Sequence, residues 1–229
     1  MSSLCKTLLT ATALTVAFAV PSAQAGPTFF YSIAAISSST AGSDLFAASG
    51  LIEGPGVGFN ANAPYTQITG SSTNLWVTDR NCFPCNYFAT HSAPPILTLN
   101  LGQDQQLSAI FVGNYAGHPN GARNFSLRFA SAADGLSGFG TSITYNPGFS
   151  LAQQGTTMQE FDFSQSIVAQ YVQMTITSNY YNPGNPGAGG DRVGLGEIAF
   201  VPEPASLALL GIGLAGVGFS RRKKVMRAA

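Results

Sequence analysis

Ile96-Leu97-Thr98-Leu99-Asn100-Leu101-Gly102 (ILTLNLG) sets three leucines on one side of an extended chain and Thr98 and Asn100 on the other, because successive side chains of a strand point to opposite faces. Phe125, Leu127 and Phe129 repeat the device against Asn124, Ser126 and Arg128. Val172, Met174 and Ile176 repeat it against Tyr171, Gln173 and Thr175. Strands with one apolar and one polar face belong to antiparallel sheets that cover a core on one side. The same reading places strands at Thr28–Ile36, Leu107–Gly113, Ser142–Tyr145, Thr157–Phe163 and Val193–Phe200, and finds no long apolar run at helical spacing before residue 200. The expected fold class is all-β: antiparallel sheets packed as a sandwich.

Working outward, the connections are long and rich in Gly, Pro and Asn: Asn60–Thr73, Asp79–Pro95, Asn114–Ala122 and Ser178–Arg192. Long loops on a rigid sandwich are where binding residues gather. Between Gly26 and Phe200 there are four arginines, no lysine and nine carboxylates, a net charge of −5. Without a basic patch there is nothing to hold a phosphate backbone, so nucleic acid is excluded as a partner. Neutral sugars, cations or other proteins suit such a surface.

The chemistry-bearing motifs are sparse. Cys82-Phe83-Pro84-Cys85 lacks the βαβ surroundings of a thiol exchanger and is read as a small structural disulfide pinning the Asp79–Pro95 loop. A zinc site drawing on Cys82, Cys85, His91 and His118 stays open as an alternative. No Gly-x-Ser-x-Gly elbow is present, and neither histidine has a base or orienting role by spacing. Glu160 and Asp162 share a strand face, but a glycosidase needs two carboxyls opposed across a cleft. The domain is therefore expected to be non-catalytic.

Both ends of the chain read as addresses. Met1–Ala25 has Lys6, an apolar stretch Leu8–Val20 and Ala23-Gln24-Ala25, the pattern of a secretory signal peptide. At the other end, VPEPASLALLGIGLAGVGFSRRKK (Val201–Lys224) runs from a Pro-Glu-Pro turn through an uncharged segment, Ala205–Ser220, to four consecutive cations. Sixteen helical residues span roughly 24 Å at ~1.5 Å each, short of a ~30 Å hydrocarbon core. This hydrophobic sorting helix suits transient membrane insertion, with the cations kept inside. The segment closely resembles the PEP-CTERM sorting tail of Gram-negative bacteria, with Pro202, Glu203 and Pro204 as its motif. That resemblance implies recognition and removal of the tail by an exosortase-type membrane enzyme, leaving the protein at the cell surface or outside the cell.

Seven strings, in order, resemble the discoidin-type, galactose-binding-like jelly roll of coagulation-factor type-C modules. They are Leu51–Gly54, Leu75–Thr78, Ile96–Gly102, Ile110–Tyr115, Phe125–Gly135, Gln170–Thr177 and Val193–Phe200. The resemblance implies an antiparallel jelly-roll β-sandwich over 51–200, preceded by a first strand and linker at 26–50. It also implies a structural calcium ion for which Glu53 and Glu197 are the matching carboxylates; Glu53-Gly54 departs from the family's usual Asp-Gly. Sugar binding in such modules uses loops at one sandwich end, and the residues near suitable loops here are Arg80, Asn114, Tyr115, Arg123, Tyr180 and Tyr181. Trp76 also lies near them, although a lone Trp of a sandwich is more often core. The resulting expectation is an exported, non-catalytic surface or extracellular-matrix protein that binds carbohydrate or exopolysaccharide through these loops. A purely structural matrix or adhesion protein of the biofilm kind, and a secreted glycan hydrolase, are the alternatives.

Overall fold

The computed structural model describes residues 30–40, 46–52, 75–80, 82–115, 119–146, 148–149 and 158–203. The signal-peptide region 1–25, the tail beyond Glu203 and the candidates Glu53 and His118 lie outside the described residues.

Seven antiparallel strands carry the fold: β1 (Ala35–Ser38), β2 (Trp76–Val77), β3 (Ile96–Asn114), β4 (Ala122–Ala130), β5 (Ile143–Tyr145), β6 (Met158–Asn179) and β7 (Gly194–Pro202). Their hydrogen-bonded order is β2-β7-β3-β6-β4-β5, with β1 added beside β3. The expected alternation holds: Leu97, Leu99, Leu101, Phe125, Leu127, Val172, Met174 and Ile176 are all buried, and their neighbours face outward. Each fully buried Leu, Ile or Phe contributes about 1.5–3 kcal/mol relative to exposure.

Two long strands replace four expected short ones. The runs at 97–101 and 107–113 are the two halves of β3, and those at 158–163 and 170–177 belong to β6. The β3–β6 register shifts between Asn100 and Gln105 and again between Leu107 and Ala109, and such bulges bend a strand without ending it. The first half of β3 pairs β1 and the second half of β6, which also pairs β4, while the second half of β3 pairs β7 and the first half of β6. Bending brings the halves face to face as a jelly-roll sandwich. Phe125 of β4 then lies 4.9 Å from Phe161 of β6 in an edge-to-face contact, and Phe129 lies 5.2 Å from Phe163. Glu160 and Asp162 alternate with these phenylalanines and are exposed.

The first strand is shorter than expected because the chain changes partner along it. The Tyr31 N–H donates to the Phe200 carbonyl of β7, whereas the Ala34 N–H donates to Asn100 of β3. A 3-10 turn, Ala48–Leu51, then packs on β2 and β7 with Leu51 wholly buried. Among the described residues no helix is long and apolar enough to cross a membrane.

Candidate functional site

Three buried asparagines knit the loops at one end of the sandwich. Asn114, at the end of β3, donates its amide to Ala122 O at 2.8 Å, and its carbonyl oxygen accepts from Tyr115 N at 2.9 Å. Asn120 accepts from Gly190 N through its side chain and from Gly194 N through its backbone. Asn179, at the end of β6, donates to both Gly190 O (2.8 Å) and Arg192 O (2.9 Å), and accepts from Tyr181 N. Thr78 completes the frame by exchanging hydrogen bonds with Val193. Side-chain amides carry both donors and acceptors, so each can close a loop whose backbone has no sheet partner.

The frame distributes the sequence candidates unevenly. Asn114 is 1% exposed and both ends of its amide are engaged inside the protein, so it shapes the loops and cannot reach a ligand. Tyr115 is half-buried against Gly194, where a Cβ would come within 2.7 Å of its ring. Arg123 is exposed, its guanidinium 5.8 Å from the centre of the Tyr180 ring, and the Tyr180 hydroxyl donates to Phe149 O. Tyr181 rests on Gly190, whose φ of +97° and crowded Cβ position both demand glycine. Arg80 pairs with Asp191 at 3.7 Å and lies 5.6 Å from the centre of the exposed Phe83 ring. Tyr180, just after β6, and the Arg80–Asp191 pair therefore sit on loops tied to the same short segment, Gly190–Gly194, and Arg123 reaches Tyr180 from the start of β4. Trp76 is wholly buried and serves as core.

A groove at this end was not read from the sequence. Asn86 caps a single helical turn, α1 (Tyr87–Thr90), by accepting from Phe88 N at 3.1 Å. Tyr87 N donates to Gly190 O at 2.9 Å, which docks the turn on the asparagine frame. His91 follows, stacked on the Tyr87 ring at 3.7 Å with Nδ1 2.9 Å from Tyr87 O. A carbonyl can only accept, so Nδ1 carries the proton, and in that tautomer Nε2 is left as an acceptor. Phe88, His91, Ser92, Ala93, Pro94 and Thr177 enclose an open groove of about 330 Å³, and no carboxylate lines it among the described residues. The missed signal was the Asn cap inside the long Asp79–Pro95 loop.

Cys82 and Cys85 are joined as a disulfide with Cα atoms 5.9 Å apart. The Cys82 sulfur lies 3.8 Å from the Thr90 hydroxyl, so this loop leans on the end of α1. The zinc alternative needed Cys82 and Cys85 as thiolates, and here both sulfurs are consumed in the disulfide, which corrects it. Among the described residues no three His, Cys, Asp or Glu side chains gather as metal ligands.

Glu197 is the second notable group. It falls where two β7 residues oppose one of β3, between the pairs Val112↔Ile198 and Asn114↔Leu195. It is 3% exposed, its Oε1 has no hydrogen-bond partner, and burial pushes its carboxyl up to about 8. A bulge that turns a carboxyl inward, with no donor to its Oε1 among the described residues, leaves a desolvation cost that a bound cation would offset. The 3-10 turn preceding Glu53 packs on this same strand.

A family model described as the PEP-CTERM protein-sorting motif matches residues 200–223. Residues 200–223 carry a PEP-CTERM sorting motif. The motif marks a protein that is exported and processed by an exosortase. No curated protein matches the chain. Solved structures similar to it include discoidin-like family 32 carbohydrate-binding modules. Truncated AlyQ, with CBM32 and alginate lyase domains, is 16% identical with a TM-score of 0.47, over 77% of this chain and 34% of that one. The family 32 module of Clostridium perfringens NanJ, solved with galactose, is 14% identical with a TM-score of 0.47, over 73% of this chain and 92% of that one. A chitosan-binding module of a Paenibacillus sp. IK-5 chitosanase/glucanase is 14% identical with a TM-score of 0.48, over 76% of this chain and 97% of that one.

Proposed function

We propose that this protein is an exported, non-catalytic glycan-binding module whose saccharide enters the groove between α1 and the end of β6. The observation that carries this reading is the composition of that groove. Phe88 offers an aromatic surface, Ser92 and Thr177 offer hydroxyls, and His91 offers a fixed acceptor for a sugar hydroxyl. Apolar faces of a sugar ring match an aromatic surface, and its hydroxyls need such oriented polar partners. Arg80, Tyr180 and Tyr181 on the adjoining loops, with Arg123 at the start of β4, extend the contact for an oligosaccharide or exopolysaccharide. The described lining of the groove, Phe88, His91, Ser92, Ala93, Pro94 and Thr177, suits binding rather than the paired carboxyls of a hydrolase.

Glycan-array and calorimetric titrations of the secreted protein test this directly. His91→Ala is expected to weaken binding at least about tenfold, the loss of one oriented hydrogen bond and its ring contact, while leaving the melting temperature within a few degrees. A protein that binds no glycan saturably, yet self-associates, would be a structural matrix component instead. Turnover of a glycan that vanishes on neutralising Glu160 or Asp162 would make it a hydrolase.

The reading also assigns a structural calcium ion to Glu197, with Glu53 as the companion carboxylate. A buried carboxyl whose Oε1 has no donor among the described residues is the feature that fits a cation. Calcium takes roughly six to eight oxygens, so backbone carbonyls would supply most of the shell. Bound there, the ion would tie the 48–54 segment to β7 and neutralise the buried charge.

A further inference from the structure

The sorting motif does not begin after the domain; it begins inside the sheet. Pro202 is the last residue of β7 and pairs with Leu107 of β3. The Ser108 hydroxyl lies 3.0 Å from Pro202 O and 3.4 Å from Val201 O, and donates to these two carbonyls. The Glu203 N–H donates to Gln106 O at 3.2 Å, and the Gln106 side-chain amide donates to the Glu203 carboxylate. Both the backbone and the acidic side chain of the motif's first half are therefore occupied by residues 106–108. Residues 200–223 are what the family model recognises, so the overlap between domain and motif is Phe200 to Glu203.

An enzyme that reads an extended peptide needs its backbone edges and its side chains at once. A strand cannot offer them while both are committed to a sheet. We propose that Gln106 and Ser108 withhold the Pro-Glu-Pro motif from the tail-processing enzyme, which then acts on a frayed form of the end of β7. This rests on the reading that an exosortase-type enzyme removes the tail. It makes Gln106 and Ser108, far in sequence from the tail, determinants of processing rate. It also places tail removal in competition with docking of the last strand: a chain whose β7 end has not yet docked is the better substrate. Fraying needs only a strand end with no described partner on its outer side beyond Phe200, where Tyr31 bonds, and strand ends open far more readily than whole domains.

Pulse-chase labelling of the full-length chain in an exosortase-proficient host reads the rate of tail loss by the mass shift. Three proteins are compared: the native chain, Gln106→Ala with Ser108→Ala, and a chain with a six-residue Gly/Ser spacer between Val201 and Pro202. Each lost hydrogen bond shifts the opening equilibrium by a factor of about 2 to 12. Tail loss in the double variant is expected to be at least about threefold faster, and faster again with the spacer, which frees the motif without touching β3. Equal rates in all three, or slower loss in the double variant with an unchanged melting temperature, overturn the gate while leaving processing intact. No tail loss in any of the three, the spacer variant included, overturns processing and the gate with it.

Discussion

Glu197 concentrates the energetics of the domain in one side chain. Its carboxyl has an ordinary value of 4.5 in the unfolded chain and is pushed up to about 8 in the fold by burial. Between those values the metal-free folded protein holds a proton that the unfolded chain has released, so folding takes up a proton. The stability that Glu197 permits is therefore fully present below pH 4.5 and is lost as pH rises towards 8, with a slope of up to ~1.4 kcal/mol per pH unit. A calcium ion bound as proposed would hold the carboxylate in its charged form and erase that slope. Melting curves in chelator and in millimolar calcium, from pH 5 to 8, are predicted to diverge as pH rises, with calcium raising the melting temperature most at pH 8. Glu197→Gln should remove both the pH dependence in chelator and the calcium response. Coincident curves for the native protein, with and without calcium, would sink the cation assignment.

At the scale of elements, the layers depend on β3 continuing through its bend. Gly102 sits at that bend with φ +82°, and its N–H donates to the Asn100 side chain at 2.8 Å. A Cβ there would meet only Ala34 at 3.5 Å, ordinary contact, so the conformation rather than space requires glycine. Gly102→Ala is predicted to cost about 1–2 kcal/mol, measurable by urea denaturation, and Gly102→Asn distinctly less; equal stability of all three would show that the bend relaxes freely. The Gly of ILTLNLG was visible in the sequence but marked a strand end, because a turn and a bend carry the same local signal. The alternation of Leu97, Leu99 and Leu101 was legible because burial on one face leaves a period of two. That Asn114 is a strut while His91 borders the groove was not legible. Both outcomes depend on which distant backbone, Ala122 or Tyr87, each side chain meets, and no local pattern encodes that.

The whole molecule is polar along its strands. β7 starts at Gly194, bridged to Gly121 amid the asparagine-knit loops, and ends at Pro202 beside Leu107. Nine strand residues separate groove end from tail end by roughly 26 Å at ~3.3 Å per step. The turn at 131–134 belongs to the tail end, since Ala132 N donates to the Asp104 carboxylate two residues before Gln106. A chain held by its tail would thus present the groove away from the membrane, and loop variation at one end need not disturb processing at the other. An eight-residue polar insertion between Gly184 and Asn185, in the exposed loop that follows Tyr181, is predicted to abolish glycan retention while tail removal proceeds at the native rate. The same insertion between Ala133 and Asp134 should leave glycan affinity within about twofold. Affinity columns and intact-mass measurement read the two properties independently. Loss of both from the first insertion, with a native melting curve, would mean that the two ends communicate and that the sandwich is not the rigid spacer its continuous β3 and β6 ladders imply.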